Sequence, residues 1–281
     1  MIYNPKYSEK GPIKMLFIGI IYASLSILFV HWFFSSDPGL AKASGMIVVS
    51  FSVMFSMLFM YFIIRQEEKE DEQVEGFFGV WKAHSDALFA FMWLFLGFVI
   101  ALSFWYIVLG DSNLLNFQLE TYCAINSPGN IEGCISNYAF PKENITGNAT
   151  DIGRLASILQ NNVYVMIFTL VFSLIFGAGA IFILAWNASV IAAAIGIFTE
   201  YSLSEIPLGV ARYMIHGFPE IAAYFVTALA GGIFGVGILR HGIKDKRIIR
   251  VVENAVILLF IALIILIVAA LIEVYITPVL F

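Results

Sequence analysis

Seven apolar runs, at about 13–34, 43–64, 86–109, 163–185, 188–204, 219–239 and 254–276, fill most of this 281-residue chain. A helix needs about 20 apolar residues to cross about 30 Å of hydrocarbon. Six of the runs reach that length, and Glu200 and Glu205 cut the 188–204 run short. The chain is 60% hydrophobic and 12% charged, where a soluble domain is about a quarter charged. One or two soluble domains are therefore excluded. The expected fold is all-α: a polytopic membrane bundle of about seven transmembrane helices. The net charge of -5 gives no sign of nucleic-acid binding. The start, MIYNPKYSEKGPIK, is polar, and the run after it is long enough to span. It reads as a first span and not as a cleavable signal.

Orientation follows from the basic residues. Lys6, Lys10 and Lys14 precede the first run, and Arg65, Lys69 and Lys82 lie between the second and third. Arg240, Lys244, Lys246, Arg247 and Arg250 follow the sixth. Seven crossings put all three sets on one side, expected to be the cytoplasm. The N-terminus is then inside a cell membrane, and the C-terminus and segment 110–160 are outside.

That outer segment holds both cysteines, Cys123 and Cys134, and two sequons, at Asn144 and Asn148. Cysteines confined to an extracytoplasmic loop read as a disulfide, worth about 2–3 kcal/mol of local order. Free thiols are the alternative. The sequons make Asn144 and Asn148 glycosylation candidates. A third sequon, at Asn187, falls at the cytoplasmic end of a span, where modification is not expected. The acidic segment Arg65 to Gly76 (RQEEKEDEQVEG) reads as a solvated loop or helix extension. A docking surface for a basic cytoplasmic partner is the functional alternative. The chain thus divides into a three-helix part at 1–109 with an acidic loop at 65–82, an outer loop at 110–160, and a second bundle at 161–281.

The second half is rich in small residues at helical spacing. Ser173, Gly177 and Ala180 are followed by Ala192 with Gly196, and by Gly231, Gly232 and Gly235. Such spacings let membrane helices approach closely. Glu200, Glu205, Arg212 and His216 fall within 17 residues, and Glu220 follows. Ser204 as a cap and Pro207 in a first turn give a short outer-leaflet or re-entrant helix over 206–216. Gly217 to Pro219 is then expected to break the chain before the sixth span. His216 and Glu220 would pair across that break near the outer boundary of the bilayer. A metal there is a weak candidate: His216 and Glu220 give two ligands, and zinc prefers His or Cys. No HExxH motif occurs, and no cofactor is expected.

Several of these residues carry a resemblance. Asn161-Asn162, Phe176-Gly177-x-Gly179, Asn187, Gly196, and His216-Gly217-x-x-Glu220 followed by Ala230-Gly231-Gly232 resemble the stage II sporulation protein M family. The likeness covers about residues 161–239, and the first three spans share only hydropathy with it. The family usually follows the Asn with Gly, whereas Ala188 follows Asn187 here. The Cys-containing outer loop is also foreign to the sporulation members. The resemblance implies a non-enzymatic membrane scaffold. In spore-forming bacteria that scaffold recruits peptidoglycan-degrading partners during engulfment. A looser likeness is to the membrane subunits of ABC-2 type exporters.

Three functions follow in order: a scaffold that binds other membrane or extracytoplasmic proteins, a permease or exporter subunit, and an intramembrane metalloenzyme. No nucleotide-binding loop is present, so a permease would draw on a separate ATPase or an ion gradient. Membrane lipid is the expected surrounding, and a homo-oligomer is compatible with the sequence.

Overall fold

The computed structural model describes residues 12–37, 39–71, 76–126, 130–139, 151–176, 181–242 and 247–280. The helices are α1 (Pro12–Phe34), α2 (Ser44–Asp71), α3 (Phe77–Leu109), α4 (Asn116–Asn126), α5 (Ile131–Ala139), α6 (Asp151–Phe176), α7 (Ile181–Phe198), α8 (Ile206–His241) and α9 (Arg247–Leu271). A π-helical stretch, Ile272–Ile276, and a last turn, Thr277–Leu280, continue α9. No strand occurs among the described residues. Six helices there are long and apolar enough to cross a membrane; α2, bent by 50° near residue 58, makes a seventh if its two arms count as one span.

The packing directions favour counting it. On α1, Gly19 lies against Leu94 and Gly97 of α3. Farther along, Trp105 Nε1 donates to Ser24 Oγ at 2.9 Å. Both contacts advance together, so α1 and α3 run parallel. Parallel neighbours require the chain to return between them, and α2 returns it. The second half repeats the arrangement. Gly231 and Gly235 of α8 lie on Leu170, Ser173 and Leu174 of α6, again in step, with α7 as the return. Antiparallel to α8 runs α9, with Gly237 beside Ile248 and Val251.

The core lies where α3 and α8 cross. Phe91 and Phe95 of α3 meet Phe225 of α8, with ring centroids 5.2 and 6.2 Å apart. In α8, 83% of the most apolar stretch is buried, against 11% in α6. Thus α8 is the central helix and α6 a peripheral one. Several buried hydroxyls within the spans are satisfied inside their own helices: Ser52, Ser56, Ser103 and Thr227 each donate to the carbonyl four residues back. Lipid offers no alternative partner.

The ends of α2 and α8 and the starts of α3 and α9 share one face, called the basic face because Arg65, Lys82, Arg240 and Arg250 lie there. The opposite, cap face carries α4 and α5. Cys123 and Cys134 join those two helices in a buried disulfide with Cα atoms 5.7 Å apart. Two side chains tie the cap to the start of α2: Asn116 Nδ2 donates to Lys42 O at 2.6 Å and Gln118 Nε2 to Gly45 O at 3.0 Å. Between α1 and α2, the amides of Gly39 and Leu40 donate to the Asp37 carboxylate at 2.8 and 2.9 Å. Those two bonds, Leu40's first, hold this exposed carboxyl below its usual range. Their support for the turn is present at neutral pH and fades as pH falls through that lowered value.

Several sequence expectations are corrected. The 163–185 and 188–204 runs are in fact the spans Leu155–Leu174 and Ile181–Phe198. Hydropathy shows no dip near residue 180 to mark the boundary. Helix α6 begins at Asp151, so the division at 160/161 falls inside a helix. The expected break at Gly217 to Pro219 does not occur, and 206–216 is not a separate helix. Both belong to α8, with Pro219 in its interior. A proline donates nothing to the carbonyl four residues back, but opening the backbone inside a bilayer would leave more groups unsatisfied. The helix start at Pro207 holds, while Ser204 does not cap it. The N-cap is Glu205, without a side-chain cap bond, and Ser204 Oγ lies 2.9 Å from Ser202 Oγ. The acidic segment is only partly solvated. Helix α2 runs through Asp71, and Glu67 and Glu68 are buried.

Candidate functional site

Two polar clusters sit inside the bundle. The first lies toward the cap face, between α6, α8 and the π-helical stretch after α9. Tyr224 Oη, one turn below Glu220 on α8, donates to Glu220 Oε1 at 2.8 Å. Glu273 lies close enough to act electrostatically on both. From α6, the buried Asn162 turns its amide toward Glu220, and its Nδ2 has no hydrogen-bond partner among the described residues. One turn above, His216 Nδ1 lies 3.2 Å from Thr277 Oγ1. The Thr277 hydroxyl also lies 3.3 Å from Ile272 O, within reach to donate to it. The π geometry brings both Glu273 and Thr277 to α8; such bulges recur at functional sites.

The sequence placed His216 and Glu220 at this end of α8, and both are there. They do not pair with each other: one bonds Thr277 and the other Tyr224. Arg212 lies over the Phe198 ring, 4.6 Å from its centroid. Glu200 and Glu205 are exposed in the turn before α8. Glu200 and Tyr201 both adopt left-handed backbone, φ 48° and 58°, where non-glycine residues are strained. No group of three His, Cys, Asp or Glu gathers as a metal site would among the described residues, so the weak pair His216 and Glu220 gains no third ligand.

Of the remaining sequence candidates, Asn161 is exposed, and Asn187 Nδ2 donates to Ile183 O of its own helix at 2.7 Å. A Cβ at Gly196 would lie 3.0 Å from the Tyr106 ring, and one at Gly231 would lie 2.8 Å from Leu170 O. Gly232 and Gly235 are buried. Gly177, Gly179, Ala180, Asn144 and Asn148 lie outside the described residues.

The second cluster, at the basic face, was missed from sequence. His84 Nδ1 of α3 lies 2.7 Å from Glu67 Oε2 of α2, and both side chains are at most 3% exposed. Beside it, the buried Glu68 pairs with Arg240 at the end of α8. A small cavity adjoins His84, lined by Trp81 and Ser85 of α3, Val226 and Leu229 of α8, and Leu258 of α9. Glu67 and Glu68 read as part of a solvated loop or helix extension because they belong to an acidic run, and His84 stands alone in the sequence at the edge of an apolar run. Glu273 had a signal that went unused: an acid inside a long apolar run marks a buried partner or a function.

Neither curated proteins nor solved structures offer a match to this chain. The family model described as "Stage II sporulation protein M" matches residues 15–278, which extends the likeness to the first three spans. With multiple apolar helices and a match over nearly its whole length, the chain is a multi-pass membrane protein of the stage II sporulation protein M family.

Proposed function

We propose that this protein is a membrane scaffold that holds a partner through the outward face of α6, with the basic face in the cytoplasm and the cap outside. The observation that carries this reading is where α6 puts its amides. Gln160, Asn161 and Tyr164 are exposed on the least buried span. Asn161 lies six residues into the Leu155–Leu174 span, about 9 Å along the helix. The outward face of α9 is apolar by comparison: Val256, Phe260, Ile264, Ile267 and Leu271. Among the described residues Gln160 Nε2 donates to Tyr164 Oη, at 3.2 Å, on the same exposed face, and lipid supplies no partner for an amide. A transmembrane helix presenting Ser, Thr, Asn or Gln at this depth would satisfy the face. Basic clusters on one side and a disulfide-bonded cap on the other support the orientation.

Purification from native membranes in mild detergent tests the reading. The double variant Gln160→Leu/Asn161→Leu should lose a co-purifying membrane protein at least tenfold while keeping its own yield. Unchanged co-purification, or no stoichiometric partner for the parent, would contradict it.

A further inference from the structure

The directions of the spans contain a repeat that runs backwards. In α1–α2–α3 the first and third helices are parallel and touch at Gly19 and Gly97. In α6–α7–α8 the first and third helices are parallel and touch at Gly231 and Gly235. The two triplets enter the bilayer from opposite faces, since Gly196 near the end of α7 meets Tyr106 near the end of α3. That contact makes α3 and α7 parallel, and so α3 and α8 antiparallel. Exchanging the triplets preserves the contacts between them. The end of α2 clasps the end of α8 through Glu68 and Arg240, and the end of α7 meets the end of α3 through Gly196 and Tyr106. The α3–α8 crossing at Phe91, Phe95 and Phe225 maps onto itself. This is a pseudo-two-fold axis in the membrane plane.

Each half also sets one ionisable side chain beside that crossing. His84 precedes Phe91 by seven residues, about 10 Å along α3 toward the basic face, and Glu220 precedes Phe225 by five, about 8 Å along α8 toward the cap face. Inverted repeats of this kind have two arrangements of similar energy, because either half can take the conformation of the other. Protonatable groups flanking an apolar crossing are the intramembrane pattern of proton movement.

We propose that residues 12–109 and 151–241 form an inverted-topology repeat, and that the chain alternates access between the two membrane faces about the α3–α8 crossing, moving protons by way of Glu220 and His84. Facing Glu220 are Tyr224 and His216 on α8, Asn162 on α6 and Glu273 after α9, with Arg212 two turns along α8. Facing His84 is Glu67, with the Glu68–Arg240 pair beside it. This activity goes beyond the scaffold reading and does not rest on it.

Spin-label distances in liposomes test it. One cysteine pair, Lys82→Cys/Leu239→Cys, reports the basic face; the other, Val108→Cys/Leu208→Cys, reports the cap face. All four positions are exposed, and the native disulfide stays buried. Two separations are expected in each pair, one face opening as the other closes. Their ratio should change at least threefold between pH 8 and pH 5.5, and Glu220→Gln should hold the low-pH ratio at pH 8. A single pH-independent separation at both faces overturns the proposal, as does widening of both faces together. Opposed motion that ignores both pH and Glu220→Gln overturns the proton assignment. Should Glu220→Gln not fold, the parent's pH series decides alone.

Discussion

His84→Leu is expected to destabilise the folded bundle by about 3 kcal/mol, the upper end of the cost of leaving a buried polar group without its hydrogen-bond partner. The leucine fits an apolar neighbourhood, so lost packing is not the cause. The cost arises because Glu67 loses a partner at 2.7 Å in a place water does not reach. The double variant Glu67→Leu/His84→Leu is expected to recover most of that loss, since apolar residues then replace both members of the pair. Thermal unfolding in detergent, followed by the fraction of monodisperse protein, reads both. Equal damage in the single and double variants would mean that the two side chains are not coupled.

Gly235→Val should cost about 3 kcal/mol, at the upper end of overpacking effects. A Cβ there lies 2.5 Å from the Leu174 carbonyl oxygen, a backbone atom that cannot move without shifting α6. Gly217→Ala is the matched control on the same helix. Its Cβ meets only the Met214 and Ile191 side chains, at 3.6 and 3.9 Å, and alanine suits a helix interior better than glycine. The control should be neutral or slightly stabilising in the same melt. Comparable losses in both would point to helix flexibility as the role of these glycines.

Much of the architecture was legible because lipid simplifies the code. Apolar runs of span length, the basic clusters beside them and two cysteines in one segment each follow from what a bilayer or an oxidising compartment permits. Helix ends were less legible wherever apolar sequence runs on, as from Val163 to Ala185. Pro219 misled because a proline breaks a helix in water, where freed backbone groups find other partners, and not in a packed bundle, where they do not. His216 and Glu220 were found because they interrupt an apolar run. Their partners Thr277 and Tyr224 were not, being about 60 residues away or ordinary in type, and Asn162 was singled out only as part of the family-like pattern. The Glu67–His84 pair was hidden by acidic neighbours that make α2's end look solvated. The inverted repeat leaves no mark in the residues, because its halves share helix directions and not side chains.

The first triplet, and with it the inverted repeat, depends on α2 crossing the bilayer. Side-specific labelling of single cysteines with a membrane-impermeant maleimide measures this. Ser36→Cys reports the segment between α1 and α2, Gln73→Cys the segment between α2 and α3, and Asn148→Cys the segment before α6. Positions 36 and 148 should label from one side and position 73 only from the other. Labelling of 36 together with 73, with 148 alone on the opposite side, would mean that α2 turns back within the membrane, and the two triplets would no longer be inverted copies.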